Sequence, residues 1–530
     1  MARILVVEPV AQPAIDLLAA AHETDLRLDL PREQLLSLAG GYDALVVRSQ
    51  TRIDDDLLAA APRLSVVGVA SVGTDRIDLA AATRAGVMVV NAPTGNTIAA
   101  AEHTIALMLA LLRKIPSADA SVRRGEWDRS GHTGAELRNK TIGIIGLGKI
   151  GKAVARRSAA FEARILACDP YLTAEQAAEA SAKLVGLPEL LGRSDVISVH
   201  TPLTARTRGM IGQAQIDAMK PGSYLLNVAR GGIVDEAVLA RALEEGRLAG
   251  AALDVYSAEP MSADSPLRSA PNTVLTPHLG ASTTEAQDRV GIEMAEQVLL
   301  ALAGITPPYA VNAPAIALEV APKLRPYVEL ARRLAVLARQ LSPAPFPSIA
   351  LTYAGEIAAW DCSPVRTAAL AGILEPVTDQ RVNAVNADLI ARERGLTVNE
   401  TKTDAADPWS SLVRVSLGDL RLAGSTAHGR PHLAGLDDFQ LDAELAGIIL
   451  VTRHQDRPGI VGAVGTILAD ARINISSLEL SRLSAAGEAR MFVSVDDPIP
   501  EPVLERVVAV DGMLDARVVE LPPMPAAPAV

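Results

Sequence analysis

The sequence predicts an α/β protein that opens with helix-covered parallel sheets and closes with a smaller α+β part. Short valine- and isoleucine-rich runs alternate with alanine- and leucine-rich helical stretches in the first half of the chain, which is typical of parallel sheets. A glycine-rich turn at 146–151 separates one such run from a helix. The stretch 446–521 instead follows the pattern of a compact βαββαβ module.

The first segment, from Arg3 to about Val90, predicts one parallel sheet with helices on its faces. Its predicted strands are the apolar runs Ile4–Val7, Ala44–Val47, Val66–Val69 and Val87–Val90.

A long helix from about Thr97 to Leu112 leads into a second unit of the same type. The number of its predicted strands is close to that of a doubly wound dinucleotide-binding fold. These strands are Thr141–Ile145, Arg164–Cys168, Val196–His200, Tyr224–Asn227, Gly250–Leu253 and Thr273–Thr276.

The turn Gly146-Leu147-Gly148-Lys149-Ile150-Gly151 predicts a nucleotide site in this second unit. Gly146 and Gly148 permit a tight turn and close approach of a pyrophosphate, and Gly151 lets the helix pack closely on the strand. Asp169 follows the next strand, where an acid can bind both ribose hydroxyls. Because this carboxylate would repel a 2′-phosphate, the sequence favours NAD over NADP.

Three polar residues follow successive strands of this unit, at the edge of the sheet that faces the ligand: Arg230, Glu259 and His278. Each alone has a structural interpretation as a loop charge or turn residue. Together they suit hydride transfer between NAD and a 2-hydroxy acid. His278 would exchange the hydroxyl proton, Glu259 would orient the imidazole and raise its pKa, and Arg230 would bind the carboxylate and polarise the 2-oxo group.

The rest of the chain divides into a return helix, a mixed region and the small module. The helix from Thr284 to Ala303 ends at Gly304, and a boundary is expected near 305–315. Three closely spaced prolines at 343–347 lie near the start of a region with mixed helix and strand signals that extends to about residue 440. After the βαββαβ pattern, the segment 522–530 is predicted to be a flexible tail.

Composition excludes several classes of function. Of 530 residues, 49% are apolar and the formal net charge is −12, which argues against nucleic-acid binding. Cys168 and Cys362 are the two cysteines, so we expect neither a disulfide framework nor a metal site, and a cytoplasmic location fits. The most apolar helix, about Ile98 to Leu112, is too short to span a bilayer, and the N-terminus lacks a signal-peptide pattern. We therefore expect no membrane partner.

These motifs resemble the D-isomer-specific 2-hydroxyacid dehydrogenase family, with coverage nearly end to end. The matching segments are Val47-Arg48-Ser49, Asn91-Ala92-Pro93 with Gly95-Asn96, Gly146–Gly151, His200-Thr201-Pro202-Leu203, Asn227–Asp235, Leu253-Asp254-Val255 and Thr276–Ser282.

The resemblance implies a set of ligand contacts. Arg48, Ser49 and Asn96 would line the substrate side together with Arg230 and His278. The implied NAD contacts, added to the glycine turn, are Lys149, Ile150, Asp169, Thr201, Val228, Ala229, Arg230, Asp254, His278, Leu279, Gly280 and Ala281.

The resemblance also implies a domain order in which an NAD-binding Rossmann domain is inserted in a flavodoxin-like substrate domain. The expected parts are residues 1–96 of the substrate domain, an NAD-binding domain at 97–283, a return helix at 284–311, an intervening α+β domain of the allosteric substrate-binding type at 312–444 and an ACT domain at 445–521.

In the ACT domain, Asp456, Gly459, Ile460 and Asn474 match the region that holds an amino acid, commonly L-serine, in this family. Asp456 could pair with the ligand ammonium, while N–H groups near Gly459 and Ile460 take the carboxylate. The alternative is an ACT domain that serves only oligomer contacts.

The long form of the family implies NAD-dependent oxidation of 3-phospho-D-glycerate to 3-phosphohydroxypyruvate, the first step of phosphorylated L-serine biosynthesis, in a serine-inhibited homodimer or homotetramer. Many such members carry an arginine where Val69 stands here. One alternative is therefore a dehydrogenase of a non-phosphorylated 2-hydroxy acid. Another is an NAD-sensing, corepressor-like binding protein.

Overall fold

The computed structural model describes residues 1–316, 319–378 and 380–522, so nearly all of the predicted tail at 522–530 lies outside the described residues. It confirms the predicted fold class, with two parallel α/β sheets followed by two mixed or antiparallel sheets.

The first sheet is parallel, with strand order β2-β1-β3-β4-β5, as in flavodoxin-like folds. Its apolar side chains alternate between two cores, one under α1 and one under α2–α4. The elements are β1 (Arg3–Val6), α1 (Gln12–Ala21), β2 (Glu23–Leu26), α2 (Arg32–Ala39), β3 (Ala44–Val47), α3 (Asp55–Ala60), β4 (Val66–Val69), α4 (Leu79–Arg84) and β5 (Met88–Val90).

The second sheet is parallel and seven-stranded, in the order β12-β11-β10-β9-β6-β7-β8. The chain reverses its winding direction between β6 and β9, which is the topological switch point where such sheets bind ligands. The elements are α5 (Thr97–Leu112), α6 (Ile115–Arg123), β6 (Thr141–Ile145), α7 (Lys149–Ala160), β7 (Arg164–Cys168), α8 (Ala174–Ala178), β8 (Ala182–Leu184), α9 (Leu187–Arg193), β9 (Val196–Val199), α10 (Gln213–Ala218), β10 (Tyr224–Asn227), α11 (Glu236–Glu244), β11 (Gly250–Leu253) and β12 (Thr273–Leu275).

Helix α12 (Thr284–Leu302) returns to the first sheet and packs beside α1. Gly68 in β4 makes this close approach possible, because a Cβ there would lie 2.5 Å from the Val298 side chain. The first sheet is therefore completed by a helix that comes after the second sheet in the chain.

The third sheet lies in the C-terminal part of the chain and has the order β14-β13-β15-β16-β17-β18. Only the β13–β14 pair is parallel among its described pairs. The elements are α13 (Ala321–Leu341), β13 (Ser348–Gly355), α14 (Ser363–Leu374), α15 (Ala387–Glu393), β14 (Thr397–Thr403), β15 (Ser411–Leu417), β16 (Leu420–Ala427), β17 (Arg430–Leu436) and β18 (Phe439–Glu444).

The last sheet is antiparallel, in the order β20-β21-β19-β22, and has two helices on one face. Its elements are β19 (Ile448–Gln455), α16 (Ile460–Asp470), β20 (Ile475–Arg482), β21 (Glu488–Val495), α17 (Glu501–Val508) and β22 (Met513–Glu520).

The third and fourth sheets share a core. Ile449, Val451 and Phe492 from the fourth sheet belong to the same buried cluster as α13. The buried Arg333 of α13 donates to the carbonyl oxygens of Leu445 and Pro522, at 3.0 and 2.7 Å. The modules that contain the third and fourth sheets are thus packed together as one body.

Two hydrogen bonds join this C-terminal body to the first sheet. Arg381 donates to the Leu64 carbonyl (2.9 Å) and Asn383 to the Gly86 carbonyl (2.7 Å). Leu64 lies just before β4, and Gly86 lies just before β5. The other ends of both strands lead into the cleft described below.

Candidate active site

The glycine turn lies between β6 and α7, at the switch point of the second sheet. Gly146 has φ of +90°, and a Cβ there would lie 2.7 Å from the His200 carbonyl oxygen. A Cβ on Gly151 would lie 2.2 Å from the Gly146 carbonyl oxygen. Gly148 has no neighbour within 4 Å of a Cβ, so its face of the turn is open to a ligand.

Asp169 lies just after β7 and is tied to the glycine turn. Its carboxylate accepts hydrogen bonds from the N–H groups of Leu147 (2.9 Å) and Tyr171 (3.0 Å). Thr201, which lies against Gly146, has a buried Oγ1 with no hydrogen-bond partner among the described residues. These features fit a bound dinucleotide. Its ribose would lie at Asp169, and the unpaired hydroxyl of Thr201 is available for a hydrogen bond to the dinucleotide.

Asp254 is 1% exposed and organises the loop after β12. Its carboxylate accepts from Thr276 Oγ1 (2.5 Å) and from the N–H groups of Leu279 and Gly280 (both 2.8 Å). Burial alone would raise the pKa of this carboxyl, but hydrogen bonds from His103 and Thr276 outweigh burial and lower the pKa. From the sequence, Asp254 was expected to contact the cofactor, but its hydrogen bonds to the loop after β12 were not predicted.

His278 and Glu259 form a hydrogen-bonded pair, with His278 Nδ1 2.7 Å from Glu259 Oε2. The other carboxylate oxygen accepts from the Tyr256 N–H at 3.0 Å. The bond to Glu259 raises the pKa of His278. Burial opposes ionisation of Glu259, but the bonds from His278 and Tyr256 leave its pKa lowered. This arrangement leaves His278 Nε2 as the ring nitrogen available to a substrate.

Arg230 follows β10 in a turn held by Asn227, whose Nδ2 donates to the Arg230 carbonyl at 2.9 Å. Its Nε lies 3.2 Å from Asp75 Oδ2, on a loop of the first sheet. A Cβ on Gly73 would lie 2.4 Å from the guanidinium, so this loop approaches Arg230 closely. The arginine can meet a carboxylate while bridging the two sheets.

One cleft of about 660 Å³ brings the predicted catalytic and substrate-side residues together. It lies between the first and second sheets, and its lining includes Arg48, Ser49, Asn96, Arg230, Glu259 and His278. Of the predicted cofactor contacts, Ala281 also lines this cleft, while the glycine turn, Asp169 and Thr201 lie at the carboxyl edge of the second sheet.

Two acidic residues that position the cleft, Glu8 and Glu293, were missed from sequence. Glu8, 4% exposed, accepts from the N–H groups of Ser49 (2.9 Å) and Thr51 (2.8 Å). Glu293 of α12 accepts from the Gly95 N–H at 2.9 Å. Glu8 carries the same signal as Arg230, since it follows a buried strand of a parallel sheet. Glu293 lies in a long helix and carries no such signal.

The predicted effector residues lie apart from this cleft, in the fourth sheet. Asp456 Oδ2 accepts from Arg482 (2.7 Å) and from the Ala486 N–H (3.2 Å). Asn474 donates to Asp496 at 2.6 Å. Gly459, with φ of +97°, directly precedes α16, whose first residue is the buried Ile460. Asp456 Oδ1 has no partner among the described contacts and is available to a ligand.

Family models match three parts of the chain. Residues 105–280 match the NAD-binding domain of D-isomer-specific 2-hydroxyacid dehydrogenases. Residues 323–427 match the intervening domain of D-3-phosphoglycerate dehydrogenase, and residues 448–512 match the ACT domain. No helix among residues 1–316, 319–378 and 380–522 is long and apolar enough to cross a membrane.

Curated relatives match over nearly the whole length. D-3-phosphoglycerate dehydrogenase from Archaeoglobus fulgidus is 41% identical over 526 residues, covering 98% of this chain and all of the relative. The enzyme of the same name from Mycobacterium tuberculosis is 42% identical over 498 residues, covering 92% and 94%.

Solved structures match the dehydrogenase half. An NAD-dependent formate dehydrogenase from Staphylococcus aureus in complex with NAD is 31% identical with a TM-score of 0.51, and covers 57% of this chain and 95% of its own. The D-lactate dehydrogenase from Escherichia coli is 29% identical with a TM-score of 0.53, and covers 58% and 99%.

Proposed function

This chain belongs to the D-3-phosphoglycerate dehydrogenases within the D-isomer-specific 2-hydroxyacid dehydrogenase family, and on that premise we propose that its cleft oxidises 3-phospho-D-glycerate to 3-phosphohydroxypyruvate. The cofactor is NAD. The observation that carries the proposal is the His278–Glu259 pair in the same cleft as Arg48 and Arg230. The reaction opens phosphorylated L-serine biosynthesis.

The roles of the side chains follow from their contacts. Bound NAD supplies the acceptor for the hydride that leaves C2 of the substrate. His278 Nε2 takes the proton of the 2-hydroxyl as the C2–O double bond forms, and returns it in the reverse direction. Glu259 holds the opposite ring nitrogen and stabilises the imidazolium. Arg230 binds the substrate carboxylate and stabilises negative charge on the 2-oxygen through its planar donor fork.

We expect Asp169→Ala to loosen discrimination against NADP. The carboxylate that repels a 2′-phosphate is then gone, and we expect the kcat/KM ratio of NADP to NAD to rise about tenfold or more, the scale of a removed like-charge contact. Asp169→Asn is the matched control, since it removes the charge but keeps an acceptor for the Leu147 N–H. An unchanged cofactor ratio in both variants would rule out the ribose contact.

The ACT domain provides for regulation by an effector, and we propose that this effector is L-serine, the amino acid at the end of the pathway. Support comes from the free Oδ1 of Asp456 and from the exposed turn at Gly459 before α16. An ammonium would share the Asp456 carboxylate with Arg482. The amino end of α16 offers N–H groups to a carboxylate.

We also propose that the chain works as a homodimer or homotetramer in the cytoplasm. Trp127 is 82% exposed, and Ile115 and Val122 near it in the chain are also exposed, which is the kind of apolar surface that partner subunits cover. The two cysteines are free, as expected in a reducing compartment. We expect light scattering to give at least twice the 55.4 kDa chain mass; a monomer at micromolar concentration would contradict the assembly.

The experiment that tests the function is NADH oxidation with 3-phosphohydroxypyruvate, hydroxypyruvate and 2-oxoglutarate, each with and without L-serine. We expect a strong preference for the phosphorylated substrate and inhibition by serine. Preference for an unphosphorylated acid would favour the alternative raised by Val69, which lines the cleft. Tight NADH binding without turnover would favour the NAD-sensing alternative, which the enzymatic relatives argue against.

A further inference from the structure

The side chains that line the cleft carry more positive than negative charge. Its two lining carboxylates are both paired, Asp75 with Arg230 at 3.2 Å and Glu259 with His278 at 2.7 Å. Arg48 and Arg76 line the same cleft, and neither has an ion-pair partner among the described residues. The cleft therefore presents two arginine charges that no described carboxylate neutralises.

Arg76 is presented by a fixed stretch of backbone. Its carbonyl accepts from the Ile53 N–H at 3.0 Å, and the Ile77 N–H donates to the Thr74 carbonyl at 2.9 Å. Earlier in the same loop, Asn91 Nδ2 donates to the Val72 carbonyl at 2.6 Å. These bonds hold the main chain on both sides of Arg76, whose exposed side chain lines the cleft.

We infer that Arg76 supplies the cation that binds the substrate phosphate. The inference rests on the proposed function. Val69 is 1% exposed and ends β4, while Arg76 follows it on the same connection to α4. Both residues line the same cleft, but only Arg76 brings a positive charge to it.

The assignment matches the charges of the substrate. A phosphate monoester carries about −1.5 to −2 at neutral pH, and the carboxylate adds one more negative charge. With Arg230 on the carboxylate, Arg48 and Arg76 remain for the phosphate, and the guanidinium fork suits phosphate oxygens. Asp75, whose Oδ2 lies 3.2 Å from Arg230 Nε, shares that guanidinium with the substrate carboxylate, so the positive charge left for the phosphate is that of Arg48 and Arg76.

The test is Arg76→Gln in the full-length enzyme, with kcat/KM measured for 3-phosphohydroxypyruvate and for hydroxypyruvate. We expect the ratio of the two to fall about 10- to 100-fold, the scale of losing hydrogen bonds to a charged group, with most of the loss in KM. Arg76→Lys keeps the charge but loses the fork, and should give an intermediate ratio. Arg52→Gln removes an exposed arginine that is not part of the cleft lining and should leave the ratio unchanged.

Binding of NADH, followed by its fluorescence, shows that each variant is folded. If the wild type prefers the phosphorylated substrate and Arg76→Gln keeps the wild-type ratio, the inference about Arg76 is overturned and the proposed function stands. If the wild type has no such preference, the proposed function and the phosphate site both fail.

Discussion

Replacing His278 with alanine is expected to lower turnover about 10²–10⁴-fold, the contribution typical of a positioned general acid–base. The imidazole lines the cleft, and its hydrogen bond to Glu259 raises its pKa, which suits it to exchange a proton with the substrate. Without it the 2-oxygen of the ketone must take its proton directly from water as the hydride is transferred. The measurement is steady-state NADH oxidation with 3-phosphohydroxypyruvate, alongside NADH binding, which should be largely retained.

The chain offers a matched control for this substitution. His432 on β17 also pairs with a carboxylate, with its Nδ1 2.9 Å from Asp442 Oδ1. It belongs to the regulatory half and is not part of the cleft lining. His432→Ala should keep wild-type turnover. Near-normal turnover in His278→Ala would show that another group transfers the proton.

The strands that the sequence predicted well are the buried ones. In the centre of a parallel sheet both faces are covered, so the strands become continuous apolar runs such as Ala44–Val47 and Val196–Val199, where all residues are buried. The edge strands β2 and β8 were missed. The residues of β2 (Glu23–Leu26) are exposed or half-buried, and only Ala182 of β8 is buried. An edge strand with little buried surface leaves no apolar run to recognise.

Some features of the site could likewise be predicted from the sequence, and others could not. The glycine turn could be predicted because its constraints are local, and His278, Glu259 and Arg230 because strand ends in one sheet converge. The positive φ of His278, +58°, was not predictable, because it depends on its N–H reaching the Asp254 carbonyl at 2.9 Å. The pairing of Asp75 with Arg230 was also missed, since it joins loops from two different sheets.

The regulatory half shows a further limit of local reasoning. The sequence predicted two modules but not that they share a core, in which Phe492 of one and Tyr353 of the other both lie. Hydrophobic periodicity marks which face of a sheet is covered but not which element covers it. The second face of the antiparallel sheet is covered by the neighbouring module.

Glu259→Gln should lower turnover by a factor approaching that of His278→Ala, although the variant keeps the size and shape of the side chain. A glutamine can donate its amide N–H to Nδ1 and so place the imidazole proton on Nε2, which is the wrong tautomer for accepting the substrate proton. The analogous change in a serine protease triad costs about 10⁴ in kcat. Glu259→Asp keeps the charge at a longer distance and should be less impaired.

The same variant should also shift the pH profile, which separates a positioning role from simple damage. Glu259 raises the pKa of His278, so in the wild type the protonated imidazole needed for ketone reduction persists to higher pH than in a free histidine. Without the carboxylate that pKa falls, and the loss of kcat/KM for reduction with rising pH should begin at lower pH. Oxidation, which needs neutral His278, should correspondingly extend to lower pH.

Glu236→Gln is the control for the pH experiment, because Glu236, the first residue of α11, accepts from the Ser257 N–H at 2.6 Å, in the loop that carries Glu259, without contacting His278. A glutamine there retains an oxygen acceptor, so both the turnover and the pH profile should stay near those of the wild type. If Glu259→Gln lost turnover but kept the wild-type pH profile, Glu259 would be supporting the loop rather than tuning the imidazole. The hydrogen bond of 2.7 Å between Glu259 and His278 favours the shifted profile, since a charge this close to the ring must change its proton affinity.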